Sequence, residues 1–339
     1  MKKQSRPFIM LVFSLLVVLF VLAGCFPPLN TNSGGPALSW TARTLPSSQS
    51  WSAVTYGNGA FVAVAQYSNA AAISHDGITW LPTTLPSAQA WSAVTYGNGA
   101  FVAVAGGYAG GNAAAISPDG ITWSPTTLPS AQAWSSVTYG NGIFLAVAGG
   151  GSAGSNAAAI SHDGITWSPV TLPNTQFWSS VTCRNGTFVA VAGGGSAGSN
   201  AAAISHDGIT WSPVTLPSTQ FWRSVTYGNV FVAVATAAGP GISGAAISYD
   251  GTTWSMRELP SAANANWNSV TYGNGVFAAV ASGGVGNNAA ASSIDGLNWT
   301  AGTLPSAQFW SSVTYGNGVF VAVANGSASG STAVAATSP

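Results

Sequence analysis

"WSAVTYGNGAFVAVA", Trp51–Ala65, is the stretch on which the reading of this chain turns. It returns word for word at Trp91, and close relatives begin at Trp134, Trp178, Trp222, Trp267 and Trp310. The spacings between these tryptophans are 40, 43, 44, 44, 45 and 43 residues. Each copy reads as two short strands, filled with β-branched and aromatic residues, that meet at Asn-Gly. Asn-Gly predicts a type I′ hairpin, in which both central residues take positive φ. One copy departs: "TYGNVF", Thr226–Phe231, lacks a glycine, so Gly228-Asn229 is expected to take over the turn.

Each unit holds two further strands. From Trp134 to Pro173 the four are "WSSVTYG", "IFLAVAG", "NAAAISH" and "ITWSPVTL". The second pair meets at Asp163-Gly164, which by the same rule predicts another two-residue hairpin. No window carries the periodicity of a long amphipathic helix. Four strands in about 40–45 residues is the blade of a β-propeller. The last unit ends after "TAVAATSP" without a fourth strand, whereas "ALSWTARTLP", Ala37–Pro46, is an orphan fourth strand at the other end, with Trp40 standing where Trp123 stands in "GITWSPTTLP". The expected fold is all-β: a seven-bladed β-propeller of four-stranded blades over residues 37–339, its N-terminal strand completing the last blade. Such closure removes the open edges of a linear array. Residues 146–173 and 190–217 are identical, which implies recent duplication.

The 14 tryptophans divide without remainder. Seven open the inner strands, and Trp40, Trp80, Trp123, Trp167, Trp211, Trp254 and Trp299 fall on the fourth. One such residue per blade reads as packing between blades, with sugar stacking as the alternative for a minority.

Charge is scarce: 4% of 339 residues, with a formal net charge of zero. No basic patch invites nucleic acid. Three of the seven cations, Lys2, Lys3 and Arg6, lie in the first six residues, ahead of the apolar run Phe8–Leu22. That order is an export signal. "LAGC", Leu22–Cys25, resembles the bacterial lipobox, which implies a signal peptide over 1–24, lipidation of Cys25 and attachment to a membrane. Residues 25–36, rich in Pro, Asn, Ser and Gly, read as a tether. Phe26 stands where an aspartate would favour inner-membrane retention, which points to the outer membrane or cell surface. Cys183 occupies a slot that is tyrosine in the other units and reads as a structural thiol.

"SHDGITW" occurs three times, and its pattern S-x-D-G-x-x-W stands at Ser74, Ser117, Ser161, Ser205, Ser248 and Ser293. It resembles the Asp-box of sialidases and other exported β-propellers, with one residue fewer between aspartate and glycine. In those families the box is a structural hairpin away from the catalytic centre. All six aspartates belong to it: Asp76, Asp119, Asp163, Asp207, Asp250 and Asp295. Each can bond nearby backbone N–H groups. One aspartate per blade also disperses the carboxylates around the periphery. A glycosidase needs two within about 5–9.5 Å, and calcium needs six to eight oxygens at one point. His75, His162 and His206 read as exposed turn residues, and Arg43, Arg184, Arg223 and Arg257 form no cluster in a seven-fold arrangement. No catalytic residue, metal or cofactor is expected.

Both hairpins of a blade emerge on one face, the turn face. The loops between strands two and three, from "QYSN" at Gln66 to "TAAGPGISG" at Thr236, emerge on the other with the blade links. This variable face carries Gln89, Gln132, Gln176, Phe177, Gln220, Phe221, Gln308 and Phe309. Such amides and aromatics suit a neutral glycan or an envelope protein; alternatively the glutamines satisfy link backbone. The expected function is a non-enzymatic binding or scaffold module, with a sialidase-like or other carbohydrate-active enzyme as the alternative.

Overall fold

The computed structural model describes residues 34–107, 110–236, 244–260, 265–282, 288–325 and 334–339. Among these residues every regular element is a strand, and all strand ladders are antiparallel. In the third unit, Trp134–Gly140, Ile143–Ala148, Ser155–Ser161 and Ser168–Gln176 form a four-stranded meander in chain order. A bulge between Trp134 and Ser136 breaks the first ladder, and the same bulge follows the inner tryptophan in the other units. Thr41–Thr44 pairs with Val334–Ser338, so the first and last strands of the described residues share a sheet.

Strands covered on both faces read as continuous apolar runs. Phe144–Ala148 is such a run and is fully buried, and so are its counterparts such as Val62–Ala65 and Val189–Ala192. Their small Ala-Val alternation lets sheets approach closely. Among the described residues the core divides into seven clusters, each shared by two successive units. One joins Val62, Val64 and Ile73 to Trp91, Val94 and Trp123. Another joins Val321 and Val323 of the last unit to Trp51, Phe61 and Trp80 of the first. Trp40 packs with Val280, Trp310 and Phe320, in the place that Trp123 holds in its own cluster.

The inner tryptophans are at most 1% exposed. Six of them donate Nε1–H to the carbonyl four residues earlier, as Trp91 does to Ser87 at 3.1 Å. A buried indole thus has its polar atom satisfied while its area is removed from water. By area each contributes about 4–6 kcal/mol as an upper figure.

Neighbouring units are also tied by polar contacts along the inner strands. Ser52 Oγ donates to the Trp91 carbonyl at 2.6 Å, and Ser92, Ser135 and Ser179 repeat this with Trp134, Trp178 and Trp222. Ser311 closes the series by donating to Trp51 at 2.6 Å. Asn268 substitutes its amide toward Trp310, and Arg223 takes the serine slot in the fifth unit.

Candidate functional site

The turn face is built on two dipeptides, and they fold differently. At Asn-Gly the expectation holds. Asn58 and Gly59 have φ of 48° and 76°, and Asn98, Asn141, Asn185, Asn274 and Asn317 are likewise positive. At Asp-Gly it fails. Only the glycine has positive φ, for example 73° at Gly164. Pairing stops at Ile160 with Ser168, so the connection is the seven residues Ser161–Trp167 rather than two. The box tryptophan therefore precedes the fourth strand instead of lying on it.

The physical reason is that side chains replace the ladder. Ser161 Oγ accepts the Gly164 N–H at 2.8 Å and donates to Asp163 Oδ1 at 2.9 Å. Asp163 Oδ1 also accepts the N–H groups of Ile165 and Thr166, both at 2.8 Å. The same set recurs in all six boxes. In five of them the tryptophan Nε1–H donates to the glycine carbonyl, as Trp211 does to Gly208 at 3.1 Å. The glycine is required twice over, by its φ and by its neighbours. A Cβ on Gly120 would lie 2.6 Å from Val62 Cγ2 of the preceding unit.

These bonds acidify the aspartates. The Thr166 N–H, then that of Ile165 and the Ser161 hydroxyl, hold Asp163 down at about 2. The Thr210 N–H, then Ile209 and Ser205, do the same for Asp207, also at about 2. Asp76, Asp119, Asp250 and Asp295 are lowered too, their backbone bonds outweighing a desolvation that raises them. The serine–histidine–aspartate sequence is not a triad. The serine is buried and donates directly to the aspartate, while His75 Nδ1 meets the Gly59 carbonyl at 3.1 Å and His206 Nδ1 meets Thr187 Oγ1 at 3.1 Å.

The expectation for "TYGNVF" is overturned. Neither Gly228 nor Asn229 has positive φ. The hairpin closes instead by Gly228 N–H donating to the Val230 carbonyl at 3.0 Å, beyond the last pair Tyr227–Phe231. Losing one residue removes the two-residue geometry that positive φ serves, so a bend over Gly228–Val230 suffices. Asn229 keeps its outward contact: its Nδ2 reaches the Ile294 carbonyl at 3.5 Å, as Asn98 reaches His162 and Asn317 reaches His75. Each of these bonds joins an inner turn to the box turn of another unit, so both kinds of turn lie on one face.

A second register of contacts was not anticipated. In five phrases the tyrosine lies on the pre-turn glycine of the unit before: Tyr96 on Gly57, Tyr139 on Gly97, Tyr272 on Gly228, Tyr315 on Gly273 and Tyr56 on Gly316. In the fourth unit, Cys183 lies on Gly140, and Arg184 replaces the glycine, its guanidinium 5.8 Å from the Tyr227 ring centroid. The sequence signal was the paired departure "CR" for "YG". Cys183 is half-buried, and burial pushes its thiol up to about 11.

On the variable face the predicted residues take distinct roles. Gln132 Oε1 accepts Ser155 Oγ at 3.0 Å, and Gln176 Oε1 accepts Ser199 Oγ at 3.0 Å, so both brace the loop of the following unit. Gln89 Nε2 donates to Ser87 Oγ at 3.4 Å, Gln220 is also engaged, and Gln308 is partly exposed. Phe177 packs over Gly195. Phe221 lies under Arg223, whose guanidinium is 5.7 Å from the ring centroid. Phe309 is 44% exposed. The other arginines also have separate partners: Arg43 donates to Thr337 Oγ1 and Arg257 to the Met256 carbonyl. Among the described residues no three His, Cys, Asp or Glu side chains converge as metal ligands. Cys25 lies outside the described residues.

No family model matches the chain, and no curated protein matches it. Solved structures do. A streptogramin B lyase aligns with a TM-score of 0.74 at 13% identity, covering 89% of this chain and 97% of that one. A catalytically inactive virginiamycin B lyase from Staphylococcus aureus, solved with quinupristin, gives 0.73 at 12% identity over 89% and 99%. YCF48 bound to D1 peptide gives 0.66 at 13% over 90% and 96%. The architecture is therefore that of a β-propeller-like repeat protein. At these identities the likeness extends to the fold alone, and the neighbours include both a lyase and a peptide-bound protein.

Proposed function

We propose that this chain is a seven-bladed β-propeller of four-stranded blades, closed by its N-terminal strand, exported, lipidated on Cys25 and held at an outer membrane or cell surface. Its role is non-enzymatic: it binds or scaffolds through the variable face, with an uncharged glycan as first ligand and an envelope protein as second. The seven-fold count is supported by the seven inter-unit core clusters and by the Thr41–Thr44 pairing with Val334–Ser338. The observation that carries the non-enzymatic reading is that all six aspartates are spent on identical turns. Their Oδ1 atoms are filled by backbone N–H groups, and their pKa values are lowered, the opposite of a general acid. Gln132 and Gln176 each keep an amide NH2 beside a braced loop, which suits ring hydroxyls.

The test is a binding and turnover panel on the mature chain with neutral and charged oligosaccharides. Binding without product, weakened by Phe309→Ala or Gln132→Ala, is the expected result. A carbohydrate-active enzyme is the second reading, favoured by the lyases among the fold neighbours. Turnover that vanishes in Glu258→Gln or Arg223→Ala would replace the first reading with it.

A further inference from the structure

The turn face also carries an apolar feature that the propeller core does not need. The residue after each box glycine is isoleucine in four successive units, and Ile78, Ile121, Ile165 and Ile209 are 47, 54, 56 and 57% exposed. In the next two units the slot before the aspartate supplies the exposed apolar group instead, Tyr249 at 72% and Ile294 at 44%. Six consecutive units thus each expose at least one large apolar side chain in a turn of this face, and Leu81 adds a second in the first unit. Scattered exposed apolar residues are ordinary, but a regular arc of them on one face calls for a covering surface.

The path of the chain bears on what covers it. Ser39 pairs in parallel with Thr303, at the far end of the strand Thr300–Thr303. Gly34 lies against Thr300 at the near end, and Gly35 against Ser293. The Pro36 carbonyl is held by Ser292 Oγ at 2.6 Å. Ser293 and Thr300 flank the box turn of the sixth unit. Followed backward, the described chain therefore runs toward the turn face and reaches it at Gly34. Only nine residue steps separate Gly34 from Cys25, a reach of at most about 30 Å.

We infer that the turn face is the side that rests on the membrane, making an interfacial contact with zwitterionic lipid through this arc, while the variable face points away. The inference depends on the lipidation of Cys25 proposed above. A single surface contact of this kind is weak, but a covalent anchor within about 30 Å makes it intramolecular in effect. Charge selects the lipid. The face carries the six box carboxylates against one turn guanidinium, Arg184, so anionic headgroups are repelled and zwitterionic ones are not.

The experiment uses the full lipidated chain in phosphatidylcholine vesicles containing brominated lipid. Cys183→Tyr, which restores the residue found at that slot elsewhere, frees the chain of its other thiol. A fluorophore is then placed at Ile165→Cys on the turn face or at Ser152→Cys on the variable face, both exposed positions. Flotation with the vesicles, lost in Cys25→Ser, reports the anchor independently of orientation. The expected result is strong quenching at 165 and little at 152. Quenching at 165 should fall toward the level of 152 in Ile78→Ser/Ile121→Ser/Ile209→Ser, and in vesicles made half of phosphatidylglycerol. Flotation with equal or reversed quenching overturns the orientation while leaving the anchor intact. Failure to float overturns both. Fluorescence at 165 that follows protein concentration rather than brominated lipid assigns the face to a second copy of the chain and also overturns the inference.

Discussion

Two turns on the same face of this molecule look interchangeable on paper and are not. Asn141-Gly142 closes a hairpin with two residues, and Asp163-Gly164 sits inside a connection of seven. Both glycines have positive φ, 79° and 73°. A Cβ on Gly142 would meet nothing within 4 Å, whereas one on Gly164 would meet Val102 Cγ2 at 2.8 Å and Ile116 Cδ1 at 2.9 Å. The first turn is a local solution to the backbone. The second is a plug, folded by its own side chains and pressed against the preceding unit.

Single substitutions should separate the two turns. Gly164→Ala adds a clash to the φ strain and should cost about 2–4 kcal/mol, read as a shift in the urea midpoint. Equal costs at Gly164 and Gly142 would show that the plug is not pressed. Asp163→Ala removes three accepted bonds from an exposed turn and should cost about 1–2 kcal/mol, with Asp163→Asn retaining part of it. If Asp163→Ala is silent, backbone alone holds the loop. Gly142→Ala should cost about 1 kcal/mol, because only the backbone is strained.

Acid provides a test without mutation. The folded carboxylates of Asp163 and Asp207 titrate near 2, below the ordinary aspartate value of 3.8. A depressed folded pKa gives stability that is complete above the unfolded value and is lost as pH falls through the folded one. The protein should therefore hold its stability down to about pH 4 and lose it toward about pH 2, with thermal melts as the readout. A melting temperature that is flat across that window would mean the bonds are not made in solution. The smallest expected effect concerns Cys183: with its thiol raised to about 11, native labelling at about pH 8 should be slow and should accelerate on unfolding. Rapid native labelling would contradict the burial of that site.

Much of this was legible in the sequence. The repeat phrase set the strand pairs, because alternation and β-branched content are local properties that survive in any sheet. Asn-Gly set its turn for the same reason. The orphan strand at Ala37–Pro46 announced the pairing with Val334–Ser338, since an unmatched edge must find a partner. The dispersal of six aspartates over six units also announced their role. The packing of the repeated tryptophans between units was legible too, whereas individual polar and ring contacts to the neighbouring unit were not. Gln132 and Gln176 read either as ligand residues or as braces of the links, and the serines of the next loop that bond their carbonyls were not foreseen.

Local chemistry along the chain was enough for the repeated phrase and its seven copies, the hairpin at each Asn-Gly and the place of every aspartate in one motif. The folded molecule was needed to see that the Asp-Gly connection is a seven-residue plug, that Gly228-Asn229 forms no positive-φ turn, and that Tyr96 needs Gly57 beneath it. The division has two physical causes: local side-chain bonds that override the backbone preference of Asp-Gly, and contacts between units. Backbone preference and hydrogen bonding to near neighbours act within a few residues of chain. Close packing acts across the interface between units, between residues about 40 positions apart.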